Sequence, residues 1–190
     1  MSMIGCFRTA TDAEIAALLD KPERIRRVFD LPEPEVKPGL LSRLFGKKSQ
    51  GSGSADDWQP DLENEDFDVD KAWHGIHFLL TGEPGESSAP LNFIISGGHE
   101  IGKVDVGYGP VRAFTSQEVA PISRELGPIT TDTLKRKCDR AAFQKNDIYP
   151  SIWDEPDEEC FGYVLSYFEA LKEFIKRTED AGKGLLVYHS

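Results

Sequence analysis

The sequence predicts a mainly helical α/β domain, and two kinds of segment carry that prediction. In one kind, a capping residue precedes apolar side chains that recur every three or four positions, the pattern of helices that bury one face. In the other, a short apolar run is closed by glycine or proline, the pattern of strands.

Met3 to Phe7 is short, apolar and interrupted by Gly5, which fits a strand or a tightly packed first segment. Thr11 and Glu14 have capping-box spacing ahead of Ile15, Leu18 and Leu19. A second helix takes Asp20 as its cap and Pro22 in its first turn, burying Ile25, Val28 and Phe29. Pro32, Pro34 and Pro38, followed by Gly51-Ser-Gly-Ser54, predict a flexible surface insertion at about 32–60. Inside it, Leu40, Leu41, Leu44 and Phe45 lie between Lys37, Arg43, Lys47 and Lys48, the pattern of a two-turn basic amphipathic helix able to touch a partner or an anionic membrane. The bland expectation is that this piece folds back or stays unstructured, since so short a helix is marginal alone.

The stretch 56–70 holds eight acids and no base, which predicts a solvated, structureless lead-in. Asp66, Asp68 and Asp70 have the opening rhythm of a calcium loop, but the central glycine is missing and His77 stands in place of the terminal glutamate. Asp70 is expected to cap a helix carrying Trp73, Ile76, His77, Phe78 and Leu80, which Gly82 and Pro84 end. The apolar run 91–95 fits a buried strand and a short helix equally. Val104 to Val106 and Val111 to Phe114 frame Gly107-Tyr-Gly-Pro110, a turn-rich piece that needs unusual dihedrals or close backbone packing at its glycines. Thr115 and Glu118 again have capping-box spacing, and Pro121 is expected to kink or divide the helix that follows. Asp132 should cap a basic helix running to Phe143, with an aromatic loop at 148–153 after it. A long helix at 157–180 has Phe161, Val164, Leu165, Phe168 and Leu171 as its stripe, acids at its start and Lys172, Lys176 and Arg177 near its end. A strand at 185–188 closes the chain.

The 190 residues suit a single domain with its own core. A net charge of −11 opposes nucleic-acid binding, because repulsion replaces counterion release. Cys6, Cys138 and Cys160 are far apart and form no CxxC pair, so neither a disulfide framework nor a cysteine-rich zinc site is expected. With no leader-like start and no run near the roughly 20 apolar residues that span a bilayer, a cytoplasmic protein without a transmembrane segment is expected.

Four blocks carry a family resemblance: Met3-Ile-Gly5, Asp70-Lys-x-Trp-x-x-x-His-x-x-Leu-Thr-Gly82, Tyr108-Gly-Pro110 with Arg112, and Ile148-Tyr-Pro150. With them the chain resembles the bacterial YfbM-like family, a domain of unknown function, over most of its length outside 32–60. The resemblance implies an α/β fold of the α+β type, with several helices packed around a small mixed sheet. It implies no reaction, ligand or catalytic set.

The residues with chemical potential are few. Asp70, His74 and His77 fall along one side of a helix and, with His99, offer the nitrogen and oxygen ligands that zinc accepts. The same spacing suits a capped helix with a packed histidine, and Gly75 stands where HExxH needs its glutamate. A hydrolase would use His74 or His77 as base and Arg112 to hold an oxyanion, but no activated nucleophile accompanies them. Tyr108, Tyr149 and Trp153 are placed to line a cleft with Arg112, His74 and His77. The sequence therefore favours a non-enzymatic binding protein for a basic protein partner, of the inhibitor or immunity type, needing no cofactor. A small metal- or histidine-dependent hydrolase is the alternative.

Overall fold

The computed structural model describes residues 2–32 and 56–190. Most of the expected 32–60 insertion, with the basic segment from Leu40 to Lys48, lies outside the described residues. Five strands form one sheet: β1 (Gly5–Ala10), β2 (Asp66–Asp68), β3 (His99–Asp105), β4 (Pro110–Phe114) and β5 (Gly184–His189), in the order β2-β1-β5-β4-β3. Every neighbouring pair is antiparallel, so the sheet is not of mixed sense. β3 and β4 form a hairpin, and the two terminal strands run head to tail from Gly5 opposite His189 to Ala10 opposite Gly184.

Strand alternation sends successive side chains to opposite faces. Leu186, Val111 and Ala113 pack with Ile15, Leu18 and Ile25 from α1 (Asp12–Asp20) and α2 (Ile25–Val28). Phe7, Leu185 and Val187 face the larger core, built on α3 (Trp73–Thr81), α4 (Ser116–Leu126) and α7 (Asp157–Asp180). Arg112 pairs with Val187 across β4 and β5, and His189 lies two residues beyond it. Alternation thus aims Arg112 and His189 toward the face that α3 covers.

α7 follows its expected bounds, burying Phe161, Val164, Leu165, Phe168 and Leu171. The capping box at Thr115 and Glu118 is formed, and α4 is continuous through Pro121. Thr11 caps α1 by accepting from the Glu14 amide. Asp20 does not cap the second helix; Lys21 stands at that boundary without a side-chain bond, ahead of a single 3-10 turn at Pro22–Arg24.

Four further expectations change. The acidic lead-in is not structureless, because distant cations and an aromatic ring organise it. Arg8 pairs with Asp66 and Arg24 with Asp56 at 2.6 Å, while Phe67 of β2 stacks on Phe174 at 4.8 Å. Asp70 does not cap α3. It adopts a left-handed φ of 45° in the one-turn 3-10 helix Asp70–Ala72, and its carboxylate accepts from the Tyr163 hydroxyl at 2.9 Å. The basic helix after Asp132 is two short helices, α5 (Thr131–Lys135) and α6 (Arg140–Lys145), because Thr130 caps the first and Asp139 starts the second. Segment 91–95 is neither strand nor helix but a run of turns that buries Phe93 and Ile94.

Candidate functional site

α3 can lie close to the sheet because Gly5 has no side chain: a Cβ there would stand 2.5 Å from that of Trp73. The Trp73 indole N–H donates to the Met3 carbonyl at 3.1 Å, and the Met3 amide donates to the Tyr149 hydroxyl at 3.0 Å. The His74 ring stacks on Trp73 at 4.9 Å. Its Nδ1 accepts from the Tyr149 amide at 3.0 Å, which leaves Nε2 to donate to the Pro84 carbonyl at 2.7 Å. One turn on, the fully buried His77 donates from Nε2 to the Gly85 carbonyl at 2.7 Å. Burial lowers the pKa of both rings and keeps them neutral near pH 7.

Arg112 acts on the same irregular segment from the sheet side. Its guanidinium donates to the carbonyls of Phe93 at 3.0 Å, Ile94 at 2.7 Å and Gly97 at 3.2 Å, with the Phe114 ring beneath it. Desolvation brings its pKa down to about 10, and among the described residues it has no carboxylate ion-pair partner. The segment 84–97 is therefore held at its start by two histidines and at its end by one arginine. Between those points it forms the wall of a cleft of about 660 Å³ against the end of α3 and Glu125 of α4.

The other candidates separate. Trp153 is core rather than cleft: it is buried against Phe143 and Phe161, and its N–H donates to the Ile148 carbonyl at 2.5 Å. Tyr108 is exposed on the β3–β4 turn, where its amide donates to the His189 carbonyl at 3.0 Å. His99 lies on edge strand β3 with Glu118 at 3.1 Å, and Asp70 is bound to Tyr163. The proposed zinc ligands Asp70, His74, His77 and His99 are thus engaged in four separate contacts. Among the described residues, no three or more His, Cys, Asp or Glu side chains are arranged to hold a metal ion. The three cysteines are free thiols; burial raises the pKa of each, that of Cys138 to about 11.

His189 escaped the sequence reading. Its ring meets Trp73 edge-on at 4.6 Å, and its Nε2 is buried without a partner, as is Nδ1 of His77. Burial, with the charge of Arg112 behind it, brings its pKa down to about 4. The available signal was its place two residues beyond Val187, on the inward face of a terminal strand.

Fold and site together define an α+β domain whose helix-borne histidines position backbone. The family model described as "Domain of unknown function (DUF1877)" matches residues 1–188, and the chain belongs to that family. The crystal structure of YfbM from Escherichia coli, a protein of unknown function, is similar with a TM-score of 0.64 at 19% identity, covering 97% of this chain and 98% of that one. No curated protein matches the chain. No helix among the described residues is long and apolar enough to cross a membrane.

Proposed function

We propose that this protein acts by binding a partner and not by catalysing a reaction, and that the partner is a basic protein met in a bacterial cytoplasm, as for an inhibitor or immunity protein. One observation carries the reading: the groups best suited to chemistry are committed to backbone. Both nitrogens of His74, one of His77 and three donor positions of Arg112 hold main-chain atoms. A general base needs a free lone pair within reach of a reacting proton, and an oxyanion clamp needs free donors. The net charge of −11 supports the choice of partner by electrostatic complementarity. Affinity capture from the native host at low and moderate salt should yield a basic partner that moderate salt releases. Failure to find any salt-sensitive partner counts against the reading.

A histidine-dependent hydrolase keeps one supporting observation, the unpartnered Nδ1 of His77 and Nε2 of His189. Such an activity would fall when His189 or His77 is replaced by glutamine. An ester or phosphoester activity that survives both H189Q and H77Q, or none at all, removes that alternative.

A further inference from the structure

We infer that the groove between the end of α3, the 83–91 segment and α4 seats an extended basic segment of the partner protein, an assignment that rests on the binding reading above. The groove has an apolar floor from Leu80, Pro90 and Leu91, and its walls carry Glu83, Glu86 and Glu125 with no lysine, arginine or histidine among them. All three carboxylates are exposed, and among the described residues none is in an ion pair. Four acids elsewhere that face a neighbouring element are matched by arginine: Asp56 by Arg24, Asp66 by Arg8, Glu65 by Arg177 and Asp157 by Arg140. The groove is thus a place where like charges gather beside Leu80, Pro90 and Leu91 with no counterion among the lining residues. The hydroxyl oxygen of Ser87, on the same wall, is shut off from solvent and has no hydrogen-bond partner. A buried hydroxyl left unpaired costs stability unless a ligand group completes it.

Lysine and arginine side chains fit this chemistry. Their aliphatic stems cover apolar floor while their charged heads reach carboxylates at the rim. The wall is built before binding, since His74 and His77 fix its entry and Arg112 its exit. Less ordering is then left for the partner to drive. By contrast, the cleft at the other end of α3 includes Lys71 beside Asp70, Glu155 and Glu159, so part of its charge is already offset.

The test uses the full chain and a labelled peptide alternating lysine with alanine, its glutamate counterpart serving as the control probe. Affinity is followed by fluorescence anisotropy at about 20 mM and about 200 mM salt, concentrations that bracket strong and weak screening. The variant E83Q/E86Q/E125Q is compared with E155Q/E158Q/E159Q, which removes the same charge at the start of α7. Wild type should bind the lysine peptide in a salt-sensitive way; the groove variant should weaken it by about tenfold or more and the control by less than about threefold. Equal losses in the two variants, or no preference of wild type for lysine over glutamate, overturn the assignment. A host partner captured salt-sensitively by wild type and equally by the groove variant overturns the groove but leaves the binding reading standing. Capture of no partner by wild type removes the reading itself.

Discussion

The histidines on α3 and the histidine on β3 use the same side chain in opposite ways. His74 and His77 are packed, their rings neutral by burial, and they spend nitrogens on carbonyls of the neighbouring segment. His99 lies half open on an edge strand and meets a carboxylate, Glu118. Residue type and helical spacing suggested one metal-ligating set, yet environment divides it. The buried pair fixes the position of a long irregular segment, whereas the exposed one sits at the surface of an element already fixed by β-pairing. The difference teaches that loss of a histidine here should be graded by what backbone it holds.

The largest effect is expected for His77→Ala. It deletes a fully buried ring and leaves the Gly85 carbonyl without its donor, a loss of about 2–3 kcal/mol measured by denaturant unfolding. Hydrogen exchange should rise across 83–91, and binding of the lysine peptide should weaken although no groove carboxylate has changed. A variant with unaltered exchange in that segment would show that His77 packs without positioning it.

Acid should act on the same buried group of rings. For His189 the folded pKa, about 4, lies below the ordinary 6.5, so between those values the unfolded chain binds a proton that the native protein refuses. Its contribution is complete above about pH 6.5 and falls away as pH drops toward 4, amounting to about 2 kcal/mol between pH 7 and pH 5. His74 and His77 shift in the same direction and add to the slope. Urea unfolding at several pH values should show H189Q with a shallower loss than wild type. Equal slopes would place the acid sensitivity elsewhere.

His74→Ala comes next, at roughly 1–2 kcal/mol. The ring is half-buried, so water can reach the freed Tyr149 amide and Pro84 carbonyl and recover part of what the two bonds supplied. Chemical denaturation should therefore place it between the His77 and His99 variants. A loss as large as that of His77→Ala would mean that Tyr149 and Met3 unlatch with it.

Much of the architecture could be read because it is local. The stripe of α7 repeats over 24 residues, and the cap at Thr11 and the box at Thr115 close within three. What could not be read depends on remote partners. Asp70 answers to Tyr163, 93 residues away, and not to the first turn of α3; β2 exists because Arg8 and Phe174 wait for Asp66 and Phe67. Arg112 was expected to hold an oxyanion, yet it holds main-chain carbonyls, which leave no trace in the order of residue types. The six candidate cleft residues accordingly divide: His74, His77, Arg112 and Tyr149 belong to one held assembly, Trp153 belongs to the core, and Tyr108 stands at the hairpin turn. Glu83, Glu86 and Glu125 could not be grouped beforehand, because a loop and two helices must meet before they face one groove.

The smallest effect should come from His99→Ala. Its side chain is 53% exposed and that of Glu118 is 38% exposed, so the contact at 3.1 Å is screened and each partner keeps most of its hydration. Glu118 also retains its second role, since its other oxygen accepts from the Thr115 amide and hydroxyl at 2.8 Å. The helix start is therefore expected to survive, with a stability change of no more than about 0.5 kcal/mol and peptide affinity as in wild type. Unfolding of His99→Ala beside Glu118→Ala separates the two contributions, because only the second also removes the capping box, at about 1 kcal/mol. If His99→Ala cost as much as His74→Ala, the division between histidines that hold backbone and histidines that sit on it would fail at its weakest member.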